Sequence, residues 1–293
     1  MNGYKTLVVV FALAMMTAPA LAEFSGKQGE KATYESIMNG QNAGTAVYSV
    51  EGRFKIGNIQ TRRFVIADST GGKVEGYLDD NGKPIKVDIF DSNTSQAAMS
   101  VAFDHQKRVA TIAYTAPASY LSNTTQAAKQ TMNVNITSNT YDLTLLTQCL
   151  RYLPIRDGYK TSFQLFNVVS AVMMSSMAPL LTMMAGVTVD PASMAMLNVT
   201  LQVAGRESVK VGTNSYDCYK VVLNITQNVP PQLAAIDPSL ASQSMEQQVW
   251  LRTNDLLLVR SYSESLSSTP QLTGTTTPQR ITSETRLVSV TYA

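Results

Sequence analysis

Gly71-Gly72-Lys73-Val74-Glu75-Gly76-Tyr77-Leu78-Asp79-Asp80-Asn81-Gly82-Lys83-Pro84-Ile85-Lys86-Val87-Asp88-Ile89-Phe90 is the stretch that decides the fold class. Its two strand-like runs, Lys73–Leu78 and Ile85–Phe90, each follow a glycine-bearing turn signal. Gly71-Gly72 and Asn81-Gly82 supply the positive φ that tight hairpin turns need. The rhythm continues upstream through Thr45–Gly52, Phe54–Ile59 and Arg62–Ile66, and downstream through Ala98–Phe103 and Arg108–Tyr114. Short alternating runs with turns about 8–12 residues apart predict an antiparallel meander. A helix between parallel strands is nowhere indicated, and no glycine pattern for a nucleotide phosphate occurs.

Beyond the meander, residues 117–140 are rich in Ser, Thr, Asn and Gln and read as a solvated connection. Leu143–Tyr152 reads as a helix with Leu143, Leu146 and Leu150 on one face, stopped by Pro154. Strands resume at Thr161–Val168, Leu197–Ala204, Tyr216–Ile225, Gln247–Arg252, Leu256–Tyr262 and Ile281–Tyr292. Residues 227–245, with Pro230-Pro231, read as an excursion or short helix, and Ser263–Thr285 as a long polar hairpin. Without a repeat or a linker, residues 23–293 are expected to form a single domain.

Of 293 residues, 44% are hydrophobic and 15% charged, enough apolar material for a packed core. The 23 basic and 21 acidic residues leave a net charge of +2, which argues against a nucleic-acid partner. Residues 1–22 carry Lys5, an apolar run from Leu7 to Met16, and Ala20-Leu21-Ala22, the layout of a secretory signal peptide cleaved after Ala22. The apolar run is too short for a convincing span, so no transmembrane segment is expected in the mature chain. A near-neutral mature chain gains little steering toward anionic surfaces, so attachment to a membrane would have to be apolar. Export places Cys149 and Cys218, the only two cysteines, where a disulfide can form; the alternative is two buried free thiols.

Between Lys160 and Asp190 there are 29 residues without a charge, and seven of the fourteen Met lie between Val168 and Leu197. Pro179 and the flanking strands argue against a membrane span. The segment is then either a helix in the core or a lid offering a soft apolar surface to a ligand or partner, a role the flexible thioether suits.

Candidates for chemistry are few. The single His, His105, lies in a turn, and a lone His excludes a His-cluster metal site. Asp79, Asp80 and Asn81 match no calcium-loop spacing. Asp88 and Asp91 are oddly spaced on a strand pattern, hence on opposite sides. Arg151 and Arg156 bracket the helix end, where they would cap it or pair with Asp157 or Glu207. Trp250 shares a face with Arg252, opposite Val249 and Leu251, as a core residue or a cavity wall.

The order of several short motifs resembles the DUF3108 family of exported bacterial proteins of unknown function. These are Gly29-Glu30 with Tyr34, Gly82-Lys83-Pro84, Phe103-Asp104, and Asp142-Leu143-Thr144-Leu145-Leu146 through Leu150-Arg151-Tyr152-Leu153-Pro154-Ile155. Gly158-Tyr159, Val203–Val209, Tyr216–Val221, Val249–Arg252 and Leu258–Arg260 continue the series, so the resemblance spans most of 29–262. It implies a mainly β fold with a few helices: a large antiparallel unclosed β-barrel, similar to LolA/LolB and RseB-like envelope proteins, with a covering helix. The Met-rich stretch at about 168–197 is then an insertion. The resemblance supplies no catalytic residues, cofactor or metal. The expected function is a non-catalytic periplasmic protein that holds a lipid, lipoprotein or other amphipathic envelope component. Tyr141, Leu146, Leu150, Tyr152 and Trp250 would line its cavity, with Met173, Met174, Met177, Met183 and Met184 as the lid. An assembly module docking another envelope protein is the second expectation, and a cell-wall hydrolase or lyase the third.

Overall fold

The computed structural model describes residues 24–92, 95–116, 128–186, 188, 190–227, 229, 231, 244–268 and 278–293. The stretch read as a signal peptide and most of 227–245 lie outside these residues. Eight strands come first: β1 (Lys31–Met38), β2 (Gln41–Ile56), β3 (Ile59–Asp68), β4 (Lys73–Asp79), β5 (Pro84–Phe90), β6 (Ala97–Asp104), β7 (Val109–Ala116) and β8 (Ala128–Asn135). Then follow β9 (Thr140–Asp142), helix α1 (Leu146–Leu150), β10 (Lys160–Phe166), helix α2 (Val168–Ala185) and a 3-10 helix, Pro191–Ala195. β11 (Met196–Val211), β12 (Asn214–Gln227), β13 (Ser244–Arg252), β14 (Leu258–Ser268) and β15 (Pro278–Thr291) complete the order.

The fifteen strands among the described residues form one unclosed sheet, ordered β8-β7-β6-β5-β4-β3-β2-β1-β15-β14-β13-β12-β11-β10-β9. Every pairing is antiparallel except β9 with β10. A flat sheet of this width would hold its edges about 65 Å apart at about 4.8 Å per strand. Yet the edge strands β8 and β9 are joined by residues 136–139 alone, a link that reaches about 18 Å at most. The sheet therefore curls until its edges nearly meet, leaving an unpaired seam between β8 and β9. Its concave side holds one continuous core that includes Tyr34, Phe64, Leu78, Val87, Ile112, Leu201 and Leu223.

Several local expectations are corrected. Phe54–Ile59 is not one strand: β2 runs to Ile56 and turns at Gly57, whose φ is 56°. Lys31–Met38 forms a strand in addition to the expected ones, and β8 lies within the stretch read as solvated. The helix shrinks to Leu146–Leu150 because β9 is tied to β10 and Asp142 accepts from Thr144 N at 2.8 Å, forming a turn first.

Candidate functional site

One rim of the barrel carries the turns of the β2–β3, β4–β5 and β6–β7 hairpins, and α1 with its flanks plugs that end. Two glycines make room for it. At Gly76, in mid-β4, a Cβ would collide with the side chain of Leu145. At Gly82, with φ +75°, a Cβ would sit 2.6 Å from Tyr152 Cβ. Leu145, Leu146, Leu150 and Tyr152 are buried in the main core, and Tyr152 stacks obliquely on Phe24 at 4.9 Å. Tyr141 packs edge-on to Phe163 at 5.3 Å, with Lys83 Nζ 3.8 Å from its ring centre. Burial pulls the Lys83 amine down to about 8 and pushes the Tyr141 and Tyr152 hydroxyls up.

Tyr141, Leu146 and Leu150 do come together, with Cys149, Leu153 and Phe163, but the crevice among them has no room for a water molecule. The expected cavity wall is a packed core at this point. Trp250 is elsewhere. It lies on the convex face in a small second cluster with Val209, Cys218 and Val259. Its Nε1 donates to Glu207, while Lys220 and Arg260 lie over its ring at 5.4 and 5.1 Å. Trp250 therefore cannot line the same hollow as α1.

The two cysteines are free and buried. Cys149 belongs to the concave core and Cys218 to the convex cluster, so the sheet lies between them and the expected disulfide does not form. Burial pushes the Cys218 thiol up to about 12 and raises that of Cys149 as well, which leaves both protonated and poorly nucleophilic.

A buried polar network at the plugged rim was not foreseen. Arg151, 1% exposed, makes a bidentate pair with Glu30, 2% exposed, at 2.5 and 3.1 Å. Arg151 Nε also donates to the Asp255 carbonyl at 3.3 Å, which Ser25 Oγ reaches at 2.5 Å. Asp255 in turn pairs with Arg252, and that pairing holds its carboxyl below the usual carboxylate range despite burial. Arg151 thus joins neither Asp157 nor Glu207; Asp157 pairs with Arg206 at 3.0 Å. Asp142 is enclosed completely, its Oδ2 has no partner among the described residues, and burial pushes its carboxyl up to about 6.

His105 is half-buried rather than on the surface, stacked on Phe103, with Nε2 2.8 Å from the Pro84 carbonyl. A carbonyl only accepts, so Nε2 carries the proton. Asp79 organises its turn by accepting from Asn81 N and Lys83 N, each at 2.8 Å. Asp88 is buried against Lys86 and Ser100 while Asp91 is exposed, so the two carboxyls do not converge. Among the described residues no three His, Cys, Asp or Glu side chains gather as a metal site would require.

The Met-rich segment forms α2 at the opposite rim, beside the seam. Its first turns are anchored: Val168 and Ala171 are buried, Ser170 N bonds to Asn167 Oδ1 at 3.1 Å, and Asn167 N bonds to Ala195 O at 2.7 Å. Across the gap, Tyr114 Oη donates to Gln130 Oε1 at 2.7 Å and accepts from Ser175 Oγ at 2.8 Å. Further on the helix stands out. Met173, Met177 and Met183 are exposed, as Val169 is in the first turn, Met183 at 66%, and Met174 is half-buried; the side chain of Met184 lies outside the described residues. The hydroxyls of Ser176 and Thr182 bond to carbonyls one turn back, at 3.1 and 3.0 Å. Among the described residues no helix is long and apolar enough to cross a membrane.

The profile of the family described as protein of unknown function (DUF3108) matches residues 32–172, a shorter span than the motifs suggested. No curated protein matches the chain. Similar solved structures include a Bacteroides fragilis protein described as exported and of YmcC-like fold, 10% identical over 92% of this chain and 99% of that one, TM-score 0.36. A Parabacteroides distasonis protein described as a lipoprotein is 11% identical over the same shares, TM-score 0.34. The hypothetical lipoprotein YmcC of Escherichia coli is 10% identical over 88% of this chain and 83% of its own, TM-score 0.33. Over residues 32–172, from β1 through the start of α2, the chain matches the model of the DUF3108 family.

Proposed function

We propose that this is a non-catalytic protein of the bacterial envelope that shelters the acyl portion of an amphipathic lipid or lipoprotein along α2, at the seam. The observation that carries this reading is α2 itself: 18 residues without a charge, anchored at one end, with exposed valine and methionine side chains and the hydroxyls of Ser176 and Thr182 bonded to its own backbone. A helix apolar all round ordinarily lies inside a core or a lipid phase. Methionine adapts to chains of differing shape, and each methylene removed from water contributes about 0.8 kcal/mol. The packed plug makes the barrel interior a scaffold in this reading, with the ligand at its edge.

Uptake of a fluorescent fatty acid, together with native mass spectrometry of protein taken from its own envelope, tests this. Met173→Ser combined with Met177→Ser is expected to weaken uptake about tenfold, since two apolar contacts are lost. A protein that comes out empty and takes up no fatty acid ends the reading. Retained uptake with loss of a protein complex on deleting 170–194 would favour the docking role instead.

A further inference from the structure

The β2–β3 hairpin overhangs the plugged rim. Strand β1 follows β2 only to Lys31, opposite Ser49, and β4 follows β3 only to Asp79, opposite Thr61. The hairpin pairs with itself to its end: Arg53 with Arg62 and Phe54 with Thr61 where β4 still runs beside it, then Lys55 with Gln60 and Ile56 with Ile59 beyond β4. Residues directly opposite share a face, so the hairpin has two. One carries Phe54, Ile56 and Ile59; the other carries Arg53, Lys55, Gln60 and Arg62. Phe54 and Ile59 are 40% and 44% exposed.

Residues 52–67 contain four cations and no acid. Two of the cations are engaged elsewhere. Arg63 pairs with Glu51 and Glu75 at 3.0 and 2.8 Å, and Arg62 lies 4.4 Å from the Phe24 ring centre. Arg53 reaches Asp80 at 3.4 Å with both side chains more than half exposed, a pair of little worth in water. Lys55 meets no carboxylate among the described residues. The tip therefore offers three apolar side chains on one face and two available cations on the other.

We propose that this tip docks on an anionic lipid surface. Phe54, Ile56 and Ile59 enter the interfacial layer, and Lys55 and Arg53 meet lipid phosphates. Apolar burial combined with cations at the headgroup level is the pairing by which peripheral segments hold to anionic membranes. The charge complementarity is local, concealed by a nearly balanced total. The site lies at the rim opposite α2, so it does not depend on the ligand reading above.

Co-sedimentation with vesicles decides it, using phosphatidylcholine alone or mixed with phosphatidylglycerol. The folded protein is expected to bind the mixed vesicles and to release in high salt. Lys55→Gln is expected to weaken that binding about fivefold, and Phe54→Ser with Ile59→Ser about tenfold. Met38→Ser, an exposed side chain at the other rim, leaves it unchanged. Circular dichroism establishes that each variant keeps its sheet. Met173→Ser with Met177→Ser should lower fatty-acid uptake yet spare vesicle binding, which separates the two sites. No vesicle binding by the unaltered protein, binding indifferent to the tip substitutions, or a tip that engages a protein and no vesicle overturns the proposal.

Discussion

Arg151 and Glu30 stand 121 residues apart in the chain, yet each is the other's main charge partner and neither meets water. Enclosing both ions costs several kcal/mol apiece, which only their bidentate geometry and the Asp255 carbonyl offset. Arg151→Met alone should cost about 3–5 kcal/mol in urea unfolding, because Glu30 is left charged and enclosed. Adding Glu30→Leu should restore most of that loss. Asp142 behaves oppositely. Its carboxyl rises from the ordinary 3.8 to about 6, so between those pH values the folded chain holds more protons than the unfolded one. Its contribution is favourable in acid and lost as pH rises through 6, by about 3 kcal/mol. Asp142→Asn should remove that loss, gaining on the wild type by about this amount between pH 4 and 7 in urea titrations at each pH. Sequence reading gives Arg151 a helix end to cap or Asp157 or Glu207 to pair with; a partner supplied by the first strand's approach has no local signal.

At the scale of elements, α1 shows how a five-residue helix can close a barrel: the sheet has been hollowed to receive it. Gly76→Ala drives a methyl into Leu145. Overpacking of this kind should cost about 1–3 kcal/mol, read as a lower thermal midpoint, and should speed proteolysis within 143–158. Most strands were legible because alternation and turn glycines coincide, as at Gly71-Gly72 and Asn81-Gly82. β8 was not, since an edge strand needs few apolar residues: only Met132 and Val134 turn toward the core. The run Lys31–Met38 alternates too, with Ala32 and Tyr34 inward, but it has no strongly apolar run of its own to mark it as a strand. The fold class and the plug's apolar residues could be read from sequence. Their filling of the interior could not, because the fit of Leu145 against Gly76 depends on the curvature of the sheet.

Across the whole molecule, β1 and β15 pair from Lys31–Thr291 to Met38–Ser283 in the middle of the sheet order. Ending the chain after Ser268 should therefore leave β1–β8 and β9–β14 as separate arms, seen as a broadened urea transition in place of a cooperative one. The seam and the β1–β15 junction are opposite in kind, one without a ladder and one long and register-bound.

The residues of β15 are synthesised after those of every other strand in this sheet, and they supply the strand that fastens the two arms together. Until they arrive, β1 waits beside a bare edge, and a growing chain carries two open margins that could recruit a neighbour's strands. Completion of the sheet is thus a zipping event at its centre, scheduled by the direction of synthesis.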